Sequence, residues 1–175
     1  MSEEQELLQL ASQFKCQALA QIYDAYSPGI YRYAMRLLGD VTLAEDCVAE
    51  TFSRFLNSLQ KKQGPRDHLQ AYLYRIAHNW IVDHYRTQPE MIELEDSLRS
   101  EADVPEEEAA MHIRQRQVRK AIYSLSPDQQ KVITLKYLEN WSNEEVARML
   151  EKPVGAIKSI QHRALECLRG LLSKE

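Results

Sequence analysis

A chain of 175 residues, 44% hydrophobic and 27% charged, suffices for one ordinary domain or two small ones, each burying a core. No apolar run reaches the length of a membrane span, and the opening MSEEQE lacks a secretory pattern, so a cytoplasmic protein without membrane insertion is expected. The net charge of −4 is unevenly distributed: residues 89–111 hold nine acids and one arginine, a local −8, which leaves +4 elsewhere. The negative total therefore does not exclude nucleic acid, because the local footprint governs such binding.

In chain order, Ala18, Leu19, Ile22, Tyr23 and Tyr26 recur with helical period. Ser27-Pro28-Gly29 is expected to interrupt or kink that helix before Ile30, Ala34, Leu37 and Leu38 resume it, and Gly39 supplies the stop. Thr42 and Glu45 form a capping-box signature for a second helix. Ala44, Cys47, Val48, Thr51, Phe52, Phe55, Leu56 and Leu59 make its inner face, while Glu45, Asp46, Glu50 and Arg54 lead the outer one. The acidic side suits either solubility or docking to a basic protein surface. After the loop KKQGPR (Lys61 to Arg66), Asp67 and Gln70 read as another capping box. The helix they open buries Leu69, Tyr72, Leu73, Ile76, Ala77, Trp80 and Ile81. Its polar side carries Arg75, His78, Asn79, Asp83 and Arg86, with Tyr74 and Tyr85 beside it. Basic groups interleaved with rings suit single-stranded nucleic acid, which needs charge for phosphate and a platform for bases; a solvated face is the plainer alternative.

Residues 89–111 have two prolines and strong like-charge repulsion, so a flexible or partly extended linker is expected, either a tether or an active element. Beyond it, Ser126-Pro127-Asp128-Gln129 combines a cap, a proline at the first helical position and a capping-box glutamine. Val132, Ile133, Leu135 and Tyr137 follow. Ser142 and Glu145 cap a short helix with Val146, Ala147, Met149 and Leu150 inside. Three residues, Glu151 to Pro153, then lead into a second helix within KPVGAIKSIQHRALECLRG (Lys152 to Gly170), whose apolar stripe of Ile157, Ile160, Ala164 and Leu168 continues to Leu171. Short helix, tight turn and second helix make a helix-turn-helix, although an ordinary helical hairpin with a solvated basic face has the same pattern. In the first case the front of the last helix enters the major groove. Lys158, Ser159, His162 and Arg163 are then the candidates to meet phosphates and base edges, and Gly155 permits close approach. Gln161 is ambiguous, because a helical wheel places it within the apolar arc.

Catalysis finds little support. The five histidines have no metal-ligand spacing, and there is no glycine-rich phosphate loop or nucleophile motif, so a non-enzyme without cofactor or metal is expected. Cys16, Cys47 and Cys167 are odd in number and widely spaced, which favours reduced thiols.

Three stretches in order resemble the extracytoplasmic-function (ECF) group of bacterial RNA polymerase sigma factors. LAEDCVAETFSRF (Leu43 to Phe55) is similar to the family segment that binds the polymerase clamp, and LQAYLYRIAHNWIVDHYR (Leu69 to Arg86) to the segment that melts and reads the −10 element. Leu125 to Leu168 resembles the domain that binds the −35 element, and the likeness spans roughly Ala18 to Arg86 and Ile113 to Leu172. Glu151 stands where the family often has glycine, and Ile160 where it often has arginine.

The resemblance implies an all-α protein of two small helical domains joined by an acidic linker. Residues 1–88 would be the N-terminal bundle, 89–111 the linker and 112–175 the helix-turn-helix domain. It implies a −35 contact set of Lys158, Ser159, His162 and Arg163. The implied −10 set is Lys61, Lys62, Arg66, Arg75, His78, Asn79 and Arg86, and Glu45, Asp46 and Glu50 would face core polymerase. The implied partners are promoter DNA and the RNA polymerase core, through the β′ clamp and the β subunit, with an anti-sigma protein as a further one. No additional C-terminal domain is expected, and the linker would run through the polymerase with its carboxylates in place of phosphates. The competing classes are a stand-alone helix-turn-helix regulator and, more distantly, an enzyme on a helical bundle. A stand-alone regulator would need neither the acidic helix nor the KKQGPR loop.

Overall fold

A computed structural model of the protein describes residues 1–87 and 105–173, and all regular structure among them is helical. The chain divides into two compact units, Met1–Asp83 and His84–Glu175.

The first unit begins with α1 (Glu3–Ser12), capped by a reciprocal Ser2–Gln5 capping box and burying Leu8 and Ala11 against α2 and α3. Helix α2 (Cys16–Leu38) runs unbroken across Pro28, so of the expected interruption or kink the interruption does not occur. An interior proline costs about 3 kcal/mol or more. Here Ile22 before it and Ile30, Tyr33 and Ala34 after it are all fully buried, so packing on both sides of the proline offsets that cost. Gly29 has its own reason: a Cβ there would stand 2.7 Å from the Tyr74 hydroxyl oxygen, so only glycine lets α4 approach this closely. Gly39 ends α2 in the left-handed conformation, φ 69°, with its N–H donating to the Met35 carbonyl.

Helix α3 (Val41–Gln60) is capped by Asp40, whose carboxylate accepts from the Leu43 N–H at 2.8 Å. The cap therefore precedes the expected Thr42–Glu45 box, because the extended backbone of Asp40 already brings its carboxylate to the first turn. Ala44, Cys47, Phe52, Phe55 and Leu59 are buried as expected, whereas Leu56 is exposed. The Cys47 thiol donates to the Ala77 carbonyl of α4 (Leu69–Thr87) at 3.8 Å. Burial pushes its pKa up to about 12, against smaller opposing effects of Thr51 and Arg54, so it is a packing thiol. Ring contacts also tie α4 into the bundle: Tyr74 lies edge-on to Tyr33 and Tyr72 edge-on to Phe55.

The second unit contains α5 (Glu106–Tyr123), so residues 106–111 are helical rather than part of an extended linker. Glu106, Glu107 and Glu108 occupy its first turn, where the helix dipole favours negative charge. The acidic residues from Glu90 to Asp103 lie outside the described residues. Helix α6 (Pro127–Ile133) has the expected Ser126–Gln129 capping box and continues into a π-helical turn, Thr134–Leu138. Helix α7 (Asn143–Leu150) has the expected Ser142–Glu145 box, and α8 (Val154–Leu172) follows Pro153. Helix α8 packs on α5, α6 and α7, with Leu125, Ile133 and Ala164 in one buried cluster.

Candidate nucleic-acid interface

The turn between α7 and α8 aims the second helix, and its pivot is Glu151. This residue adopts φ 55°, ψ 43°, the left-handed conformation that glycine takes at least cost. The structure thus gives the physical reason why a glycine suits this position. Lys152 follows with its N–H on the Ala147 carbonyl and its ammonium 3.4 Å from the Asp128 carboxylate of α6.

On α8, Ile157, Ile160 and Ala164 are buried, while Lys158, Ser159, His162 and Arg163 are all exposed on the other arc. Ile160 packs inward, so the residue that departs from the family's frequent arginine serves the core. The Arg163 Nε donates to the Ser159 carbonyl at 3.4 Å, and His162 Nε2 lies 3.5 Å from Glu166 one turn on. A Cβ at Gly155 would meet nothing within 4 Å, so no packing inside the protein requires glycine there. Gln161 proves to be a strut: its amide donates to the Tyr137 hydroxyl at 2.9 Å, linking α8 to the π-helical turn. An open groove of about 480 Å³ at the front of α8 is lined by Ser126, Asp128, Gln129, Lys152, Ser159 and Arg163. Its two cations exceed its one carboxylate, so it suits an anionic backbone. Lys152 was absent from the expected contact set, although its place in the turn beside Pro153 was a usable signal.

The second expected surface holds less well. Lys61, Lys62 and Arg66 are exposed in the loop between α3 and α4, Asn79 is exposed on α4, and Arg75 is half-buried. His78 must be corrected: it is 1% exposed, and its Nδ1 is hydrogen-bonded to the Tyr33 hydroxyl of α2. Tyr74 is buried one turn earlier, so neither ring is available to stack on a base. The buried stripe of α4 is wider than its aliphatic residues suggest, because α2 offers Tyr33, whose hydroxyl bonds one nitrogen of the imidazole. The Arg86 side chain lies outside the described residues.

On α3, Glu45 and Asp46 are exposed, and Glu50 forms a 2.7 Å ion pair with Arg54 one turn on. The acidic ridge is thus partly neutralised within its own helix. Glu4 went unnoticed in the sequence: its carboxylate accepts from the His68 N–H (3.2 Å) and the Leu69 N–H (2.9 Å), capping α4 in place of the expected Asp67–Gln70 box. No local pattern could reveal a partner 64 residues away. The Tyr26 hydroxyl has a raised pKa through burial and the nearby Glu4 charge. Among the described residues, no cluster of His, Cys, Asp or Glu could hold a metal ion, and no helix is long and apolar enough to cross a membrane.

Residues 22–89 match the family model of sigma-70 region 2, and residues 115–168 that of sigma-70 region 4. The ECF RNA polymerase sigma factor BldN of Streptomyces coelicolor is 33% identical over 95% of the chain, which spans 65% of that relative's length. SigL of Mycobacterium tuberculosis is 30% identical over 85% of both chains, and SigX of Bacillus subtilis 28% identical over 85% of this chain and 80% of its own. CnrH, solved with the cytosolic domain of CnrY, shares the fold at a TM-score of 0.71 and 22% identity, each chain 99% covered. RpoE of Bartonella quintana, solved with the anti-sigma factor NepR, matches at a TM-score of 0.57 and 26% identity over 88% of this chain and 96% of its own. With both sigma-70 regions present in order and curated relatives of this similarity, the chain belongs to the ECF RNA polymerase sigma factors of the sigma-70 superfamily.

Proposed function

We propose that the protein binds core RNA polymerase, directs it to one promoter class through −35 and −10 elements, and assists melting. The observation that carries this reading is the front of α8, with Lys158, Ser159, His162 and Arg163 exposed together above a buried Ile157–Ile160–Ala164 stripe. It lies within the region 4 match, and the basic 61–68 loop within the region 2 match. Residues 1–88 serve core binding and the −10 element, 112–175 the −35 element. The acidic residues from Glu90 to Asp103, ahead of α5, thread the polymerase. Lys61, Lys62 and Arg66 hold phosphates, Asn79 offers donor and acceptor to an unstacked base, and Arg75 and Arg86 complete the −10 set. Glu45 and Asp46, with Glu50, face a basic surface of the β′ clamp, and the β subunit is the second core partner.

The protein acts in the cytoplasm without cofactor or catalytic chemistry of its own. Because RpoE was solved with an anti-sigma factor, an anti-sigma protein is a partner of this chain too. In-vitro transcription with core enzyme on genomic fragments from the source organism tests the reading. Specific start sites absent with core alone are expected, and none above core alone would refute it. Variants at Lys62, Arg66 and Asn79 should fail on closed duplex and recover partly on a pre-melted bubble; equal defects on both templates would remove melting from the role of this surface.

A further inference from the structure

The 61–68 loop is built to hold one shape. At its start, the N–H groups of Lys61, Lys62 and Gln63 donate to the Asn57, Leu59 and Ser58 carbonyls, closing the end of α3. Lys62 adopts φ 58°, a conformation that side-chain-bearing residues avoid. A Cβ at Gly64 would stand 2.6 Å from a Leu59 methyl, so the chain passes close over that buried side chain. At its end His68 is again left-handed, φ 50°, immediately before α4. A residue in that position normally has extended backbone and caps its own helix. Here the left-handed turn presents the His68 and Leu69 N–H groups to a different element, and Glu4 takes both, one on each carboxylate oxygen.

Glu4 belongs to α1, which precedes the region 2 match. Leu8 and Ala11 anchor α1 in the bundle, so the carboxylate is delivered by a packed helix. Its negative charge stands at the positive end of α4 and beside a loop carrying Lys61, Lys62 and Arg66. Strained backbone persists only where its surroundings over-determine it, and the contact over-determining His68 is this carboxylate.

We infer that Glu4 is a positioning residue for −10 recognition: through the His68 and Leu69 amides it holds the far end of the basic 61–68 loop in the shape that receives single-stranded promoter DNA. The inference rests on the proposed −10 role of that loop. It makes the N-terminal helix part of the reading apparatus, although α1 itself need touch no base. Preorganisation is the physical benefit, since a loop already in its bound shape loses less freedom on binding.

The test uses full-length protein as holoenzyme, with Glu4→Ala, Glu4→Gln and, as a control on the same helix, Glu3→Ala. The probe is a fluorescent single strand carrying the −10 segment of a promoter mapped by the transcription assay, alongside the −35 duplex of the same promoter. Loss of two charge-assisted hydrogen bonds should weaken single-strand binding by Glu4→Ala about tenfold. Glu4→Gln, which keeps one acceptor oxygen, should fall between, and Glu3→Ala should match wild type. Binding of the −35 duplex and of core should not change, which a merely destabilising substitution would not achieve. Amide hydrogen exchange on the free protein gives a readout independent of DNA: His68 and Leu69 should lose protection in Glu4→Ala. Unchanged exchange, or faster exchange with wild-type single-strand affinity, overturns the inference alone. Wild-type holoenzyme that ignores the single strand overturns the −10 role and the inference with it.

Discussion

The two candidate DNA surfaces are built in opposite ways. The −35 surface is one face of a regular helix whose other face is core, so side-chain spacing along α8 decides who is exposed: Lys158, Ser159, His162 and Arg163 out, Ile157, Ile160 and Ala164 in. The −10 surface combines an irregular loop with a helix packed on two neighbours. There periodicity is a poor guide, because a polar side chain turns inward when another element brings it a partner, as Tyr33 does for His78. Backbone chemistry differs too. Each surface has left-handed residues at a turn, Glu151 in one and Lys62 and His68 in the other, but Glu151 sits in a local helix-end motif and the His68 N–H donates to a carboxylate 64 residues away in the sequence.

That contrast can be broken most forcefully at His78. As a core residue, His78→Ala should destabilise the first unit by about 2–5 kcal/mol, as large-to-small core changes do, and remove the ring that bonds the Tyr33 hydroxyl. The melting temperature of that unit should fall by about 10 °C or more. An unchanged thermal transition with a specific −10 defect would return His78 to the surface.

A smaller and different loss is expected at the helix-borne surface. Lys158→Ala and Arg163→Ala should leave both thermal transitions and core binding intact. A phosphate contact should lower −35 duplex affinity evenly across sequences and flatten the salt dependence by about 0.9 per contact. A base contact should instead cost roughly 1–3 kcal/mol at one position of the site. Wild-type −35 affinity in both variants, measured by fluorescence anisotropy across a salt series, would mean that the wrong arc of α8 has been assigned.

The smallest effect sharpens the comparison at the turns. Glu151→Gly removes a left-handed penalty of roughly 1–2 kcal/mol but adds unfolded-state entropy, for a net gain of about 0.5–1 kcal/mol in the second unit. Calorimetry should show that unit melting a few degrees higher, with −35 affinity unchanged. A lower melting temperature would mean that the Glu151 side chain itself stabilises the turn.

Much of this protein could be read from local pattern. Gly39 as a stop, the Ser126–Gln129 and Ser142–Glu145 boxes, the helix-turn-helix and the exposed arc of α8 all follow from interactions spanning three or four residues, and the structure shows each of them. The acidic run was visible as composition, but its last six residues join α5, because glutamates that repel one another in a coil are stabilised at a helix start. The remaining features depend on partners far along the chain. Pro28 stays inside α2 because buried residues on both sides of it offset its cost. Gly29 is demanded by Tyr74, His78 is drawn inward by Tyr33, and α4 is capped by Glu4. Helical periodicity and capping are short-range and leave a local trace in residue order. A hydrogen bond between residues 45 or 65 positions apart leaves none, since only the packed bundle brings its two ends together.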